Sequence, residues 1–342
     1  MDKLKFIGKC CLLILLAFLI NFIFHDDVHS YTRVMIHEMY ESEENIDAVF
    51  IGASHVYRGI DPAMADELIG MNTFNASSSS QQLKGSYYLL REICETNDVK
   101  TVFLDVTYGV NTGEEDGERE TYLLTDYMKN GENKFSYLWS SNGLEGVIND
   151  VFPAIHTSEL PTECLQYKFT EAYKNYGYDY ISYDNEAYVG KGFVYSYEQN
   201  APDFNYKAID SINEDNPISE YSKTLLADII DFCKGKGIEL ILLDCPMPDA
   251  TLAKEANYEL YDAAIRRIAD EHDVIYWNFN MVNKNVMTVD HTDYKDSFHL
   301  NGKGAEIFTQ ALCDVYNGKF EEPFYQSFSE KLMNNPDGTY KP

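Results

Sequence analysis

Short apolar runs alternate with amphipathic stretches along most of this chain. Continuous apolar runs without polar alternation are typical of parallel strands that are covered on both faces. Between these runs, apolar residues recur every three or four positions, as they do on one face of a helix. The pattern predicts an α/β fold in three layers, with a parallel sheet of about five strands and helices on both faces. The predicted strands are 48–51, 71–76, 102–106, 238–245 and 274–279.

The alternation breaks between residues 112 and 216, where the chain is acidic and rich in aromatic residues. This stretch is too long for a structureless loop in a compact domain, so we predict an inserted subdomain that caps the ends of the strands. Its aromatic side chains could form the core of the cap or stack on sugar rings. The remaining parts are a core domain over 45–111 and 217–318, a helical stalk over 25–44 and a C-terminal tail over 319–342.

The N-terminus has the composition of a membrane anchor. Lys3, Lys5 and Lys9 precede an apolar run that continues to Phe24 and contains one polar residue, Asn21. The run is just long enough to span a bilayer if Lys9 extends toward the surface. Residues 1–24 are therefore predicted to be a signal anchor, with the lysines inside the cell and the remaining chain outside. A cleavable signal peptide is the alternative, although no small-x-small cleavage site follows the run.

The charge balance argues against nucleic acid as a partner. The chain of 342 residues has 27 basic and 56 acidic side chains, which gives a formal net charge of −29. Binding to nucleic acid in general requires basic patches that neutralise phosphates, so it is not expected here. The same charge argues against the globular part lying flat on anionic lipid. The chain also contains neither a GxGxxG nor a Walker A pattern.

Ser54 is placed where a nucleophile could act. It follows the first predicted strand just after Gly52, and Asp61 with Pro62 predicts the start of a helix. Ser54 therefore lies at the carboxyl end of a parallel strand, which is the edge where ligands bind in open α/β sheets. A serine in a strand–helix loop is also common without any function.

Asp296 and His299 form a second candidate pair, late in the chain. An aspartate three residues before a histidine can reach the imidazole within one local turn, which would leave the other ring nitrogen free to take a serine proton. Two alternatives are open. Asp296 could cap the following helix with His299 at the surface, or His291, Asp293, Asp296 and His299 could form a metal site if their loop folds back.

The two candidate regions together resemble the SGNH (GDSL-like) hydrolase superfamily. The residues that carry the resemblance are Gly52-Ala53-Ser54 early in the chain and Asp296-x-x-His299 late in the chain. The resemblance implies a flavodoxin-like α/β/α fold and a catalytic triad of Ser54, His299 and Asp296. It implies serine esterase chemistry without a metal or an organic cofactor.

The segment around Ser54 is most similar to the membrane-anchored, DltD-like branch, which serves cell-envelope polymers. Gly-x-Ser-His is followed there by Tyr-Arg-Gly-Ile-Asp-Pro over 57–62. This resemblance implies an O-linked acyl group on a cell-surface polymer as substrate and a membrane-bound O-acyltransferase as partner. His55, next to Ser54, is expected to contact substrate or to shape the site.

The resemblance also indicates where an oxyanion hole would lie. The superfamily places a backbone N–H there, usually from a glycine in the loop after the second strand, and this position falls near Ser80. It also uses an asparagine after the third strand, for which Asn111 is the candidate. The chain departs from the pattern at both places, because the glycine is absent and Gly109-x-Asn111 comes late and lacks the following aspartate. An unpaired amide at a helix N-terminus could serve instead.

These features predict a membrane-anchored, extracellular serine esterase or O-acyltransferase. Its substrate would be an ester-linked acyl group, D-alanyl or O-acetyl, on a cell-surface polymer or glycan. Because the chain is strongly acidic, a neutral or zwitterionic glycan is favoured over an anionic polymer. The alternatives are a non-catalytic protein of the same fold that binds glycan or scaffolds an envelope complex, and a secreted lipase for small esters.

Overall fold

Five parallel strands form the central sheet. A computed structural model of the chain describes residues 2–24, 31–107, 118–153, 156, 162–178, 185–207, 212–255, 257–321, 324–326 and 331. The strands of the described part are β1 (Ala48–Gly52), β2 (Thr73–Ser77), β3 (Thr101–Asp105), β4 (Glu186–Gly190), β5 (Phe193–Ser196), β6 (Glu239–Asp244) and β7 (Ile275–Asn278). The order of strands in the central sheet is β2-β1-β3-β6-β7, and β4 and β5 form a separate antiparallel hairpin.

Helices cover both faces of the sheet. The helices of the described part are α1 (Asp2–Phe24), α2 (Tyr31–Glu41), α3 (Ser54–Gly59), α4 (Pro62–Ile69), α5 (Leu83–Thr96), α6 (Glu118–Thr125), α7 (Glu132–Val151), α8 (Thr162–Tyr167), α9 (Glu171–Lys174), α10 (Glu220–Lys236), α11 (Asp249–Leu252), α12 (Tyr258–His272) and α13 (Gly302–Tyr316). Helices α3, α4 and α13 pack on one face, and α2, α5, α10 and α12 pack on the other.

Strand β1 shows why the strands are apolar at every position. Phe50 points into the cluster below α3, α4 and α13, whereas Val49 and Ile51 belong to the cluster on the opposite face. All three side chains are buried, because successive residues of a strand face opposite sides of a sheet. The predicted three-layer α/β fold is confirmed, and the observed strands differ from the predicted ones by only one or two residues at their ends.

The segment expected to be a stalk is instead part of the core. Residues Tyr31–Glu41 are helical, as predicted, but Val34, Met35 and Ile36 are each only 1% exposed. Helix α2 therefore packs against the sheet as one of its covering helices. Residues 25–30 lie outside the described part of the chain.

The β4–β5 hairpin covers the outer edge of the central sheet. The backbone N–H of Asn75 in β2 donates to the carbonyl of Lys191, which lies in the hairpin turn. Gly192 has a φ of +81°, and a Cβ at this position would lie 1.9 Å from the carbonyl oxygen of Asn75. Only glycine allows this approach, so the turn is built to pair with an edge strand that would otherwise be open.

Helix α1 projects from this assembly. Its stretch Lys3–Ile23 has the length and the apolar composition needed to cross a membrane, and none of it is buried inside the protein. A signal sequence would share these properties. At the other end of the chain, the beginning of the predicted tail packs against the core, where Val282 forms an antiparallel bridge with Tyr325.

Candidate active site

Ser54 is the first residue of helix α3. Strand β1 ends at Gly52, Ala53 is extended, and the helix begins at once. The sequence predicted a longer loop here, because a helix of six residues is too short to show a periodic pattern. Asp61 caps the next helix as predicted, since its Oδ1 accepts the backbone N–H of Ala63 at 2.9 Å.

A buried carboxyl group fixes the turn that presents Ser54. Asp105, at the end of β3, accepts the N–H of Ala53 at 3.3 Å and that of Thr107 at 2.8 Å. A Cβ on Gly52 would lie 2.2 Å from the Cβ of Asp105, so the turn has room only for glycine. Burial raises the pKa of Asp105, and these hydrogen bonds oppose the rise. Asp105 was not among the predicted site residues, although it is the single acidic residue inside the apolar run 102–106.

His299 and Asp296 are oriented by one local turn. The Nδ1 atom of His299 lies 2.9 Å from Oδ2 of Asp296, and Asp296 Oδ1 also accepts the backbone N–H groups of Phe298 and His299, both at 2.8 Å. Burial alone would raise the pKa of Asp296, but the hydrogen bond and charge of His299 lower it well below its usual range. Asp296 is therefore ionised at neutral pH and holds the proton of His299 on Nδ1.

The structure brings all three predicted triad residues together. Ser54 Oγ lies 2.8 Å from Nε2 of His299, although the two residues are 245 positions apart. A proton on Nδ1 leaves Nε2 as the acceptor for the hydroxyl proton of Ser54. This distance is within the range expected for a nucleophile and its general base.

His55 lies directly against the base. Its ring centroid is 4.9 Å from that of His299, and both ring nitrogens are buried without a hydrogen-bond partner among the described residues. Burial, reinforced by the neighbouring His299, lowers the pKa of His55 to about 3. His55 is therefore a neutral imidazole with unused hydrogen-bonding capacity beside the reacting atoms.

The predicted oxyanion donors are less well defined than the triad. Ser80 is exposed in the loop after β2 and has a φ of +53°. Within the described ranges, no hydrogen bond joins Ser80 to Ser54, Asp296 or His299. Asn111 lies outside the described residues. In the first turn of α3, the N–H groups of Val56 and Tyr57 donate to the carbonyl of Ala53, at 3.1 and 3.3 Å, so Ser54 and His55 carry the amides of this turn that could still donate to a substrate. The backbone amide near Ser80 and the side chain of Asn111 thus remain predictions as oxyanion donors.

One buried carboxylate ties the two halves of the site together. Glu186 in β4 contacts Arg58 of α3, with 2.5 Å between Oε1 and Nη1, and it also pairs with Lys295, which directly precedes Asp296. The side chain of Glu186 is only 5% exposed. Burial would raise the pKa of Glu186, but the hydrogen bonds and charges of Arg58 and Lys295 lower it below its usual value.

Further contacts from the hairpin region hold the loop that carries His299. Asn200 donates its side-chain amide to the carbonyl of Asp296 at 3.0 Å. The ring of Tyr195 packs on Gly302, where a Cβ would lie 2.1 Å from the ring. Asn301 caps α13 and also donates to the carbonyl of Glu198 at 2.8 Å. This part of the insertion thus holds the segment that carries His299 in place. The insertion was predicted only to cap the ends of the strands.

The residues weighed as a metal site are engaged in other contacts. Asp293 pairs with Lys303 at 2.7 Å, and Asp296 and His299 are joined to Ser54 as described above. Across the described ranges, no group of three or more His, Cys, Asp or Glu residues is arranged to hold a metal ion.

Comparison with known proteins finds only remote similarity. No family model matches the chain, and no curated protein matches it. Among solved structures, it is similar to a candidate acylhydrolase from Bacteroides fragilis, with 10% identity and a TM-score of 0.41 over 86% of this chain and 99% of that one. A GDSL-like lipase from Bacteroides thetaiotaomicron has 11% identity and a TM-score of 0.38 over 86% and 100% of the two chains. An acetyl xylan esterase from Butyrivibrio proteoclasticus has 10% identity and a TM-score of 0.30 over 80% and 64%. These likenesses carry no functional inference, which has to come from the geometry of the site.

Proposed function

We propose that this protein is a serine esterase or O-acyltransferase that is anchored to the membrane by α1 and acts outside the cell. The observation that carries the proposal is the hydrogen-bonded series from Ser54 Oγ to His299 Nε2, at 2.8 Å, and from His299 Nδ1 to Asp296, at 2.9 Å. This is the arrangement that activates a serine hydroxyl on many unrelated folds.

The reaction would proceed in two steps through an acyl-enzyme. Ser54 Oγ attacks the ester carbonyl while His299 Nε2 takes its proton, and Asp296 stabilises the imidazolium that forms. The C–O bond of the ester then breaks, and the leaving alcohol receives the proton from His299. In the second step water or a sugar hydroxyl gives its proton to His299 and attacks the acyl carbonyl. The bond between that carbon and Ser54 Oγ then breaks, and His299 returns the proton to Oγ, which regenerates Ser54.

Backbone amides are proposed to hold the oxyanion. The N–H of Ser54 lies in the first turn of α3, where helical amides lack internal acceptors. An amide from the loop near Ser80, together with Asn111, would complete the set. Donors of this kind stabilise the negative charge that develops on the carbonyl oxygen, and removal of one typically slows the reaction by about 100-fold or more.

The proposed substrate is an ester-linked D-alanyl or O-acetyl group on a cell-surface polymer or glycan. Two features support it: the resemblance of residues 52–62 to the DltD-like branch of SGNH proteins, and the apolar α1 helix next to the folded domain. A membrane-bound O-acyltransferase is the proposed partner. The net charge of −29 favours a neutral or zwitterionic acceptor, because an anionic polymer would be repelled at long range.

Covalent labelling tests the chemistry. The full chain in detergent micelles is treated with a fluorophosphonate probe, as wild type and as Ser54→Ala, His299→Ala and Asp296→Asn. We expect wild-type labelling, no labelling of Ser54→Ala, and a rate reduced by roughly 1,000-fold or more in the other two variants. Ser42→Ala and His272→Ala, which lie away from the site, serve as controls and should label like wild type. Labelling that persists in Ser54→Ala, or a folded wild type that does not label, would contradict the proposal.

A second measurement separates catalysis from a scaffolding role. Ester-linked acyl groups on the cell envelope are quantified by NMR in cells that carry the wild-type chain or Ser54→Ala. If the wild-type chain changes the content of ester-linked acyl groups and Ser54→Ala does not, the protein acts as a catalyst. A non-catalytic glycan-binding or scaffold protein predicts equal acyl content in both, because the substitution removes only one hydroxyl oxygen.

A further inference from the structure

Large apolar side chains are exposed mainly in one region outside α1. Of the eleven such side chains beyond residue 24 in the described part, seven lie between residues 135 and 169. Six of these define a surface that we name the α7 face, and the seventh is Phe169, which is 65% exposed. The α7 face consists of Phe135, Trp139, Leu144, Ile148, Val151 and Phe152.

Helix α7 carries both buried and exposed apolar side chains. Its inner side packs Tyr137 and Leu138 into the protein, where they are 1% and 2% exposed. On the outer side, Leu144, Ile148 and Val151 follow one another at helical spacing after a kink at Gly143. A surface helix normally presents polar residues to water on its outer side, so this apolar row after the kink, together with the stacked rings of Phe135 and Trp139 before it, indicates a partner.

The α7 face continues directly from the end of α1. The side-chain amide of Asn21 donates to the carbonyl of Val151 at 2.9 Å, and Lys168 donates to the carbonyl of Phe22 at 2.9 Å. The rings of Phe22 and Phe169 are 6.2 Å apart. These contacts place the end of α7 at the same level as the end of the apolar helix.

The exposed charges of α7 are acidic, because its one lysine is paired and largely buried. Lys134 and Asp150 pair with each other at 3.0 Å and are only 10% and 15% exposed. Glu145 is exposed next to Leu144, and Glu132 is exposed at the start of the helix. The face therefore suits zwitterionic lipid, whereas the acidic body as a whole would be repelled by anionic lipid.

We propose that the α7 face lies in the interfacial layer of the phospholipid bilayer that surrounds α1. The proposal rests on the proposed function, in which α1 is a membrane anchor. An exposed tryptophan on an apolar helix face is typical of interfacial helices, which lie in the plane of the membrane. Since α2 is part of the core and α7 rests on the lipid, the catalytic domain is held at a fixed orientation above the membrane.

Tryptophan quenching by lipid tests this placement. The chain has two tryptophans, Trp139 at 53% exposure and Trp277 at 7%. The full chain is reconstituted in phosphatidylcholine nanodiscs with or without brominated acyl chains, as Trp277→Phe, which retains Trp139, and as Trp139→Phe, which retains Trp277. We expect brominated lipid to reduce Trp139 emission by roughly twofold or more and to leave Trp277 emission nearly unchanged. The wild type, which contains both tryptophans, is measured alongside. If Trp277→Phe fails to fold, the difference in quenching between the wild type and Trp139→Phe gives the contribution of Trp139.

A reference position separates this inference from the anchor on which it rests. Phe18→Trp in α1, in a chain without the other two tryptophans, reports insertion of α1 itself. If that position is quenched and Trp139 is not, the anchor is correct and the placement of α7 is wrong. If neither is quenched, the membrane anchor of the proposed function is also wrong. Quenching of Trp139 by aqueous acrylamide in the nanodiscs would likewise overturn the proposal. So would protection of Trp139 from acrylamide that is seen only in native membranes, because other proteins would then cover the α7 face.

Polar substitutions test whether the whole α7 face takes part. Leu144→Ser combined with Ile148→Ser should reduce the quenching of Trp139, because this helix would leave the lipid. Val189→Ser combined with Leu260→Ser is the matched control, since these side chains are 51% and 41% exposed elsewhere on the protein. Adding anionic phosphatidylglycerol to the nanodiscs should weaken quenching in the wild type, and stronger quenching with anionic lipid would contradict the charge argument.

Discussion

The β4–β5 hairpin and helix α7 belong to the same insertion but are built in opposite ways. The hairpin points a charged side chain inward, where Glu186 meets Arg58 and Lys295 in a buried cluster. Helix α7 points apolar side chains outward, with Leu144 at 63% exposure. One insertion can therefore serve two surfaces: the hairpin supports the candidate active site, and α7 is proposed to face lipid.

Burying a charge and exposing an apolar face both cost free energy, and each needs a compensating contact. A buried charge is tolerated only when it is paired, so the hairpin has to remain docked for Arg58 and Lys295 to be satisfied. An exposed apolar face is tolerated when something other than water covers it. The first arrangement makes the site rigid, and the second requires a partner.

The largest expected effect comes from breaking the buried cluster. Glu186→Ala leaves two cations without their shared carboxylate, and we expect a loss of about 3–5 kcal/mol in the free energy of unfolding. Glu171→Ala is the control. Glu171 pairs with Lys174, but its side chain is 80% exposed, so the substitution should change the free energy of unfolding by less than about 0.5 kcal/mol. Urea titration of the full chain in micelles measures both. Similar small losses in the two variants would show that the hairpin does not brace the site.

Two leucines of α7 give a matched pair within one helix. Leu138 is 2% exposed and Leu144 is 63% exposed. We expect Leu138→Ala to cost about 2–5 kcal/mol because it leaves a cavity, and Leu144→Ala to change stability by less than about 0.5 kcal/mol. The same urea titration is the test. An equal cost for the two substitutions would mean that the outer face of α7 packs within the protein.

A smaller effect is expected where the hairpin meets α13. A Cβ on Gly302 would collide with the ring of Tyr195, so Gly302→Ala should cost about 1–3 kcal/mol. The substitution should cost less in a Tyr195→Ala background, because the ring that it meets is gone. A double-mutant cycle by urea unfolding gives the coupling, and additive costs would show that the two residues do not interact.

The smallest expected effect is a change in pH dependence. The pKa of Glu186 in the folded protein lies below its ordinary value of 4.5, because Arg58 and Lys295 outweigh the effect of burial. Its ionised form therefore stabilises the fold above about pH 4.5, and this contribution is lost as the pH falls through the lowered folded-state pKa. The stability advantage of the wild type over Glu186→Gln should shrink between pH 7 and pH 3. An advantage that grows on acidification would contradict the assigned direction.

Most of the fold could be predicted because it depends on local patterns. Continuous apolar runs identified all five strands of the sheet, and Asp61 with Pro62 identified the start of α4. The stalk was misjudged because the pattern of Tyr31–Glu41, with charges among its apolar residues, does not reveal that a neighbouring sheet covers it.

The sequence by itself determined the strands of the sheet, since burial on both faces is a local property, and it placed Asp296 within one local turn of His299. Only the tertiary structure decided that Ser54 meets His299, that Asp105 supports the turn before Ser54, and that Glu186 bridges both halves of the site. The physical reason is that these contacts join residues far apart in the chain. A residue pattern reports how buried each position is, whereas the partner of a buried charge depends on how the whole chain folds.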